Sequence, residues 1–104
     1  MGLSIKLQGE LHREVAATVT DPHNLLHSLL PDPSDLTFRC LGFVDWYGDT
    51  MFNRLQMPPF LSELGRIRSL ASTSEQYLLL DVIKDLAERC RDADGELYLW
   101  FYGD

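Results

Sequence analysis

The segment Phe43-Val44-Asp45-Trp46-Tyr47-Gly48-Asp49-Thr50-Met51-Phe52-Asn53 joins two runs of strand-forming residues through a short polar cluster. The first run covers residues 36–44, and in the second, side chains alternate between two faces over residues 50–55. Between them, Gly48 and Asp49 are typical turn residues, because glycine tolerates unusual backbone angles and aspartate bonds to nearby N–H groups. The pattern predicts a β-hairpin at the centre of a small sheet. A helix that begins at Asp49 is the alternative for the second run.

The length and charge of the chain limit the classes to which it can belong. Its 104 residues predict a single domain. It has 16 acidic and 9 basic residues, which give a formal net charge of −7. This charge argues against binding to nucleic acid, which requires basic patches. It is compatible with a basic protein partner, or with a role in solubility alone.

No pattern typical of export, membrane insertion or cofactor binding is found in the sequence. Residues 1–8 lack the apolar core of a signal peptide, and no apolar run approaches the ~20 residues that span a bilayer. We therefore expect a cytoplasmic protein with no membrane association and no cofactor. Cys40 and Cys90 lack metal-site spacing and lie in apolar patterns, so we expect buried, reduced thiols.

The beginning of the chain predicts two strands. Apolar and polar residues alternate over residues 3–8, which is the pattern of a half-buried strand. Gly9-Glu10 suits a tight turn. A second extended run follows over residues 11–19, for which a helical turn is the alternative.

A short helix is predicted next. Asp21-Pro22 is typical of a helix start, because aspartate accepts from the first N–H groups and proline fits the first helical position. Leucines then recur at helical spacing: Leu25, Leu26, Leu29 and Leu30. Pro31 and Pro33 end the helix.

Two longer helices are predicted after the hairpin. Pro58-Pro59 suits the first turn of a helix whose apolar stripe extends from Phe60 to Ala71. Ser72 and Glu75 match a capping box for the next helix, Ser74–Arg91. Its apolar positions recur at steps of three and four: Leu79, Val82, Ile83, Leu86, Ala87 and Cys90. Gly95 is placed to cap its C-terminal end.

The last predicted strand has large residues on both faces. Three aliphatic or aromatic positions alternate with three amphipathic aromatic ones: Leu97, Leu99 and Phe101 with Tyr98, Trp100 and Tyr102. This pattern fits a central strand covered on both sides, or a strand with one face left for a partner. The predicted order is β-β-α-β-β-α-α-β. The fold class is α+β, with a mostly antiparallel sheet of about five strands and three helices mainly on one face.

Two groups of polar residues are candidates for chemistry. His23 and His27 are four residues apart on the predicted first helix and can point to one metal ion, with His12, Asp21 or an acidic residue from elsewhere as a third ligand. Asp45 and Asp49 bracket the predicted hairpin tip, with Asp104 as a candidate neighbour, and can act in acid–base catalysis or hold a hard cation. The simpler interpretation of both aspartates is that they stabilise the turn.

The aromatic residues of the predicted strands are candidates for a binding surface. They are Trp46, Tyr47, Tyr98, Trp100 and Tyr102. Exposed tryptophan and tyrosine often dominate the binding energy of interfaces. The alternative is that they pack in the core or on a sheet face.

The segment from Asp45 to Gln56 resembles a family of small bacterial proteins with the pattern Asp-x-Tyr-Gly-Asp-Thr-x-Phe-Asn-x-x-Gln. That family also has a similar aromatic strand at its C-terminal end and no assigned activity. The resemblance implies a small bacterial cytosolic protein and transfers no catalytic residue. In size and charge the chain is also similar to immunity proteins, which neutralise toxins.

The sequence therefore favours a non-enzymatic module that binds and neutralises or regulates a basic protein. The residues expected to bind that partner are Asp45, Trp46, Tyr47, Asp49 and Trp100. A small-ligand or metal-dependent enzyme is the alternative, built around Asp45, Asp49, Asn53 and the histidines His23 and His27. A homodimer that uses the aromatic strands on itself is a further alternative.

Overall fold

The computed structural model describes residues 2–9, 15–30, 32 and 34–103, and these residues form an α+β fold. The strands are β1 Leu3–Gln8, β2 Val15–Asp21, β3 Asp49–Phe52 and β4 Tyr98–Tyr102. The helices are α1 Leu25–Leu29, α2 Met57–Arg68 and α3 Ser74–Arg91. The order is β-β-α-β-α-α-β. Within the described ranges, no helix has the length and apolar content needed to cross a membrane.

The four strands form one antiparallel sheet in the order β2-β1-β4-β3. The last strand is central in the strand order: Phe101 pairs with Ile5 on one side and with Thr50 on the other. The predicted strand at residues 3–8 is confirmed. The second strand begins at Val15, whereas residues 10–14 lie outside the described part of the chain.

One face of the sheet packs against the helices. Its buried side chains are Leu3, Ile5, Leu7, Phe52, Leu99 and Phe101. Phe60 of α2 contacts this face, with its ring 5.6 Å from Phe52 and 6.0 Å from Phe101 between centroids. The alternating residues of β4, Tyr98, Trp100 and Tyr102, lie on the opposite face and are partly exposed. The period-two pattern of β4 thus places Leu99 and Phe101 in the core.

The predicted central hairpin is wrong, and the described sheet has four strands rather than five. Residues 36–44 form turns and a 3₁₀ turn, Leu41–Phe43, instead of a strand. The buried carboxylate of Glu63 on α2 accepts hydrogen bonds from the amides of Arg39, Cys40 and Leu41 over 2.9–3.1 Å. These amides are therefore taken by a side chain and do not enter a strand ladder. The strand β3 pairs with β4 instead.

The second run is also shorter than predicted. The alternation expected over residues 50–55 ends at Phe52, and the 3₁₀ turn Arg54–Gln56 follows. Asn53 caps this turn, with its side chain accepting from the amides of Leu55 and Gln56. Gln56 reaches back to the amide of Asn53, which completes a capping box.

The first helix begins later than predicted, although Asp21 has the predicted capping chemistry. Asp21 ends β2, and its buried carboxylate accepts from the amides of Leu25 and Leu26, each over 2.9 Å. Asn24, in the left-handed conformation, is the residue directly before the helix. Pro31 and Pro33, the predicted end of the helix, lie outside the described residues.

The long helices match their predicted apolar stripes, and the caps of α3 differ in detail. Leu79, Ile83, Leu86, Ala87 and Cys90 are buried, whereas Val82 is only partly so. The capping box is shifted by one residue: Thr73 is the cap, and Gln76 reaches back in place of Glu75. Asp92 follows the last helical residue, and Gly95 lies further on with φ of 86°. Gly95 therefore serves the following turn and is not the helix cap.

Both cysteines are buried and reduced, as predicted. Burial raises the pKa of the Cys40 thiol to about 11, and the nearby Glu63 carboxylate adds to this effect. Burial likewise raises the pKa of Cys90 to about 11. Protonated thiols are poor nucleophiles and poor metal ligands, so these residues act as core packing groups.

Candidate functional site

A cleft of about 520 Å³ opens beside α1 and the 3₁₀ turn that replaces the predicted hairpin strand. We call it the acidic cleft. It is lined by His27, Leu30, Asp32, Asp35, Phe38, Leu41, Gly42, Val44 and Trp46. Its volume lies in the usual range of ligand sites, which combine an apolar lining with a few polar groups.

The floor of the cleft is apolar and is positioned by a distant residue. Phe38, Leu41 and Val44 are buried members of the core. They belong to the segment whose amides the Glu63 carboxylate binds, so α2 fixes the backbone that carries them. Because this backbone is irregular, three nearby apolar side chains point toward one cavity rather than alternating across a sheet.

Two aspartates supply the negative charge of the rim. The Oδ1 atom of Asp32 accepts from the amide and hydroxyl of Ser34, over 2.9 and 2.8 Å. Asp35 is held in the same way by Thr37, over 3.0 and 2.6 Å. These hydrogen bonds stabilise the carboxylate forms and so lower the pKa of both aspartates. The largest effect on the pKa of Asp32 comes from the amide of Ser34, and the largest effect on the pKa of Asp35 comes from the hydroxyl of Thr37. Both side chains therefore carry negative charge at neutral pH.

Two aromatic rings form one wall of the cleft. The rings of His27 and Trp46 lie 4.6 Å apart between centroids, tilted by 59°. His27 is in the last turn of α1, and Trp46 follows the buried Val44 by two residues. The wall therefore offers the face or edge of a π system beside two carboxylates, an arrangement that suits a cation.

Large apolar side chains are exposed in the same part of the chain. Leu36 is 80% exposed, Phe43 68% and Tyr47 82%. All three belong to the segment from residue 36 to residue 47 that also contributes most of the cleft. Exposed apolar side chains are typical of interaction surfaces where they form a contiguous patch, so these three residues are candidates for such a surface.

The structure divides the five predicted partner-binding residues between two surfaces. Trp46 lines the acidic cleft, and Asp45 and Tyr47 are its neighbours in sequence. The Asp45 carboxylate accepts from the amide of Tyr47 over 2.9 Å, which is the predicted turn role of an aspartate. Asp49 and Trp100 are instead on the outer face of the sheet, where Asp49 pairs with Tyr102.

The outer face of the sheet carries the remaining aromatic residues. The rings of Trp100 and Tyr102 are stacked, 5.8 Å apart between centroids with planes 10° from parallel. The Lys6 ammonium lies 5.4 Å from the centroid of the Tyr102 ring, and the Tyr102 hydroxyl donates to Gln8 over 2.9 Å. Burial, followed by the negative charge of Asp49, raises the pKa of the Tyr102 phenol.

The groups of the alternative enzyme hypothesis lie in different local settings. His27 lines the acidic cleft, whereas His23 lines a separate groove near Glu75. The side chains of Asn53 and Asp45 bond to backbone amides of their own turns. Among the residues described, no three histidine, cysteine, aspartate or glutamate side chains are grouped as a metal site requires. The suggested ligand His12 and the candidate Asp104 lie outside those residues.

Sequence reasoning did not identify Asp32 and Asp35 as site residues, although a signal was present. Each aspartate is followed two residues later by serine or threonine, which predicts a turn in which the carboxylate is held. Two such turns lie within six residues of each other, before a segment rich in large apolar residues. The spacing alone did not show that the turns border a cavity.

Comparisons of the chain with protein-family models, curated proteins and solved structures found no match.

Proposed function

We propose that the chain is a non-enzymatic binding protein whose acidic cleft receives a basic segment of another protein. The observation that carries the proposal is the convergence of Asp32, Asp35 and the Trp46 ring on one apolar cavity. The net charge of −7 supports it, since a negative protein attracts a basic partner over long range. Neutralisation or regulation of that partner, as by an immunity protein, is the role we infer.

The partner segment combines an apolar side chain with flanking arginine or lysine. The apolar side chain would lie on Phe38, Leu41 and Val44, which leave a ready-made cavity. The basic side chains would pair with Asp32 and Asp35, whose carboxylates are already oriented by their turns. A carboxylate that is held before binding loses less conformational entropy on complex formation.

Exposed residues close in sequence to the cleft lining extend the proposed partner-binding surface. Tyr47 and Phe43 offer large amphipathic or apolar contact area at the edge. Asp45 adds a third carboxylate close to Trp46 in sequence. Such an arrangement, with aromatic anchors inside and charges at the rim, is typical of protein interfaces.

Affinity capture from a bacterial lysate at low salt, with two matched baits, tests the proposal. One bait carries Asp32→Asn and Asp35→Asn, which keep an oxygen acceptor for each turn but remove both charges. The other carries Asp85→Asn and Asp94→Asn, which remove two exposed charges at positions outside the cleft lining. We expect one protein to be retained by the parent and by the second bait, and to be lost from the first bait.

The captured protein is then titrated into a Trp100→Phe variant, in which Trp46 is the remaining tryptophan. We expect its binding to change Trp46 fluorescence and to weaken as salt is added, because salt screens charge pairs. The proposal is overturned if no basic protein is retained, or if both altered baits retain it as well as the parent does.

A further inference from the structure

A second cavity, of about 320 Å³, lies between α2 and α3, away from the acidic cleft. We call it the interhelical groove. It is lined by Leu61, Leu64, Gly65, Arg68, Leu80, Lys84, Glu88 and Arg91. Leu64 and Leu80 are buried and form its floor, and Leu61 is partly exposed. The groove is thus apolar at its base and charged at its edges.

Gly65 keeps the groove open. A Cβ atom at this position would meet no atom within 4 Å, so no close approach of the backbone requires glycine. Glycine in a helix interior is destabilising relative to alanine. The residue therefore has no packing role, whereas any larger side chain would occupy the groove.

The charges of the groove are opposite to those of the protein as a whole. Arg68, Lys84 and Arg91 line it together with a single acidic residue, Glu88, in a chain whose net charge is −7. Arg68 pairs with Asp81 and Arg91 with Asp92, but both pairs are exposed and contribute little stability. In the pair with Asp81, Arg68 donates through its Nε atom and one Nη atom. A guanidinium has five N–H donors, so this pair uses two of them.

The two ends of the groove differ in charge. Arg68 and Lys84 lie at one end, because Arg68 bonds to Asp81, which is one helical turn from Lys84 on α3. Arg91 is seven residues further along α3, or about 10 Å. Arg91 is one cation beside two acidic residues, Asp92 and Glu88. The other end has two cations, Arg68 and Lys84, beside Asp81. An anionic group in the groove is therefore attracted most strongly to the end with Arg68 and Lys84.

We propose that the interhelical groove binds a small amphiphilic carboxylate. The carboxylate pairs with Lys84 and Arg68, and the apolar chain lies on Leu64, Leu80 and Leu61 beside Gly65. The volume of the groove is at the lower limit for small-ligand sites, which fits one short aliphatic chain. This proposal does not depend on the acidic cleft or on its partner.

Octanoate is the probe, titrated into ¹⁵N-labelled protein and followed by NMR. We expect the amide signals of Gly65 and its α3 neighbours to shift. Gly65→Leu fills the groove and should abolish the shifts, whereas Lys84→Gln should weaken octanoate binding about tenfold, which corresponds to one lost ionic contact. Arg91→Gln is the matched control, because Arg91 lies at the other end of the groove, beside Glu88 and Asp92. It should change the dissociation constant for octanoate by less than about twofold.

The charge requirement is tested with octyltrimethylammonium, which has the same chain and a positive head. Equal binding of this cation, or equal binding of octanoate to the Gly65→Leu variant, overturns the proposal. Shifts confined to residues of the acidic cleft overturn it as well. Shifts caused by raising the protein concentration alone would assign the groove to self-association and also overturn it.

Discussion

The amide of Gly103 donates a hydrogen bond to the carbonyl oxygen of Gly48 over 2.7 Å. The bond lies next to the pairing of Asp49 with Tyr102, where β3 meets β4. It brings the turn that carries Trp46 against the end of the central strand. The position of one wall of the acidic cleft thus depends on a contact between residues 55 positions apart in sequence.

Replacement of Gly103 by alanine should destabilise the protein. A Cβ atom at Gly103 would overlap the backbone of Trp46 and Tyr47, which cannot move aside as a flexible side chain can. We expect a loss of about 1–3 kcal/mol in the free energy of unfolding, as for other overpacked sites. Urea denaturation followed by tryptophan fluorescence measures it.

The control for this substitution is Gly65→Ala, whose Cβ would meet no atom within 4 Å. Because alanine favours helices, this variant should be more stable than the parent by about 0.5–1 kcal/mol. If Gly103→Ala unfolds at the same urea concentration as the parent, the close contact with the Trp46 backbone does not exist in solution.

Replacement of Glu63 by alanine should destabilise the protein more than replacement of an exposed acidic residue. Its buried carboxylate accepts from three backbone amides, and removing it leaves those amides without their acceptor. We expect a loss of about 3 kcal/mol or more, since each unsatisfied buried group costs about 1–3 kcal/mol. Glu63→Gln retains one oxygen acceptor and should lose less.

Thermal unfolding of the Glu63 variants is compared with that of Asp85→Ala, an exposed position on α3. The exposed change should alter stability by less than about 0.5 kcal/mol. Equal melting temperatures for Glu63→Ala and Asp85→Ala would show that the carboxylate does not hold the segment below the cleft.

Replacement of Leu86 by alanine tests the packing of α3 on the core. Leu86 is 3% exposed, and deletion of such a side chain costs about 2–5 kcal/mol. This is a large part of the stability of a small domain, about 5–15 kcal/mol. Lys84→Ala, on the exposed side of the same helix, should change stability by less than about 0.5 kcal/mol. Similar melts for the two variants would contradict the assignment of the buried face.

The elements that could be predicted from sequence are those with a long and regular pattern. The helix α3 repeats apolar residues over five turns, and apolar residues alternate along β1 and β4, so the buried apolar positions follow from the residue order. The buried Gln8 at the end of β1 is an exception. The capping box of α3 was misplaced by one residue because Ser72 with Glu75 and Thr73 with Gln76 both have the required spacing. The backbone geometry selects Thr73.

The hairpin could not be excluded from sequence, because its failure depends on a distant residue. Phe38 and Cys40 are both buried, as in a strand, but their burial arises from turns. The competing acceptor is Glu63, 22–24 residues further along the chain. The pairing of β3 with β4 is likewise non-local, and a local pattern does not encode it.

The same non-local contacts explain what could be predicted of the candidate site. The type of Trp46 and its place beside a turn predict a partner-binding residue, and this stays a prediction. The structure places Trp46 in the lining of the acidic cleft. Its neighbours in space, His27 and Asp32, come from α1 and the loop after it. Only the folded chain brings them to Trp46. The predicted hairpin tip groups Asp49 with Asp45, and the aromatic pattern of the predicted strands groups Trp100 with Trp46. The hairpin does not form, and Asp49 and Trp100 lie on the outer face of the sheet.

The two thiols predict how stability depends on alkaline pH. The pKa of both Cys40 and Cys90 rises from 9.0 to about 11 on folding, mainly because of burial. Between these values the unfolded chain releases both protons while the folded chain retains them. The stabilising contribution is therefore complete below about pH 9 and is lost as the pH rises toward 11. Urea unfolding at about pH 8 and about pH 10.5 measures this loss in the parent and in a Cys40→Ala, Cys90→Ala variant. The variant should be less stable than the parent at about pH 8, but it should lose less stability than the parent between about pH 8 and about pH 10.5. Equal losses in parent and variant would show that the thiols ionise in the folded protein as readily as in the unfolded chain.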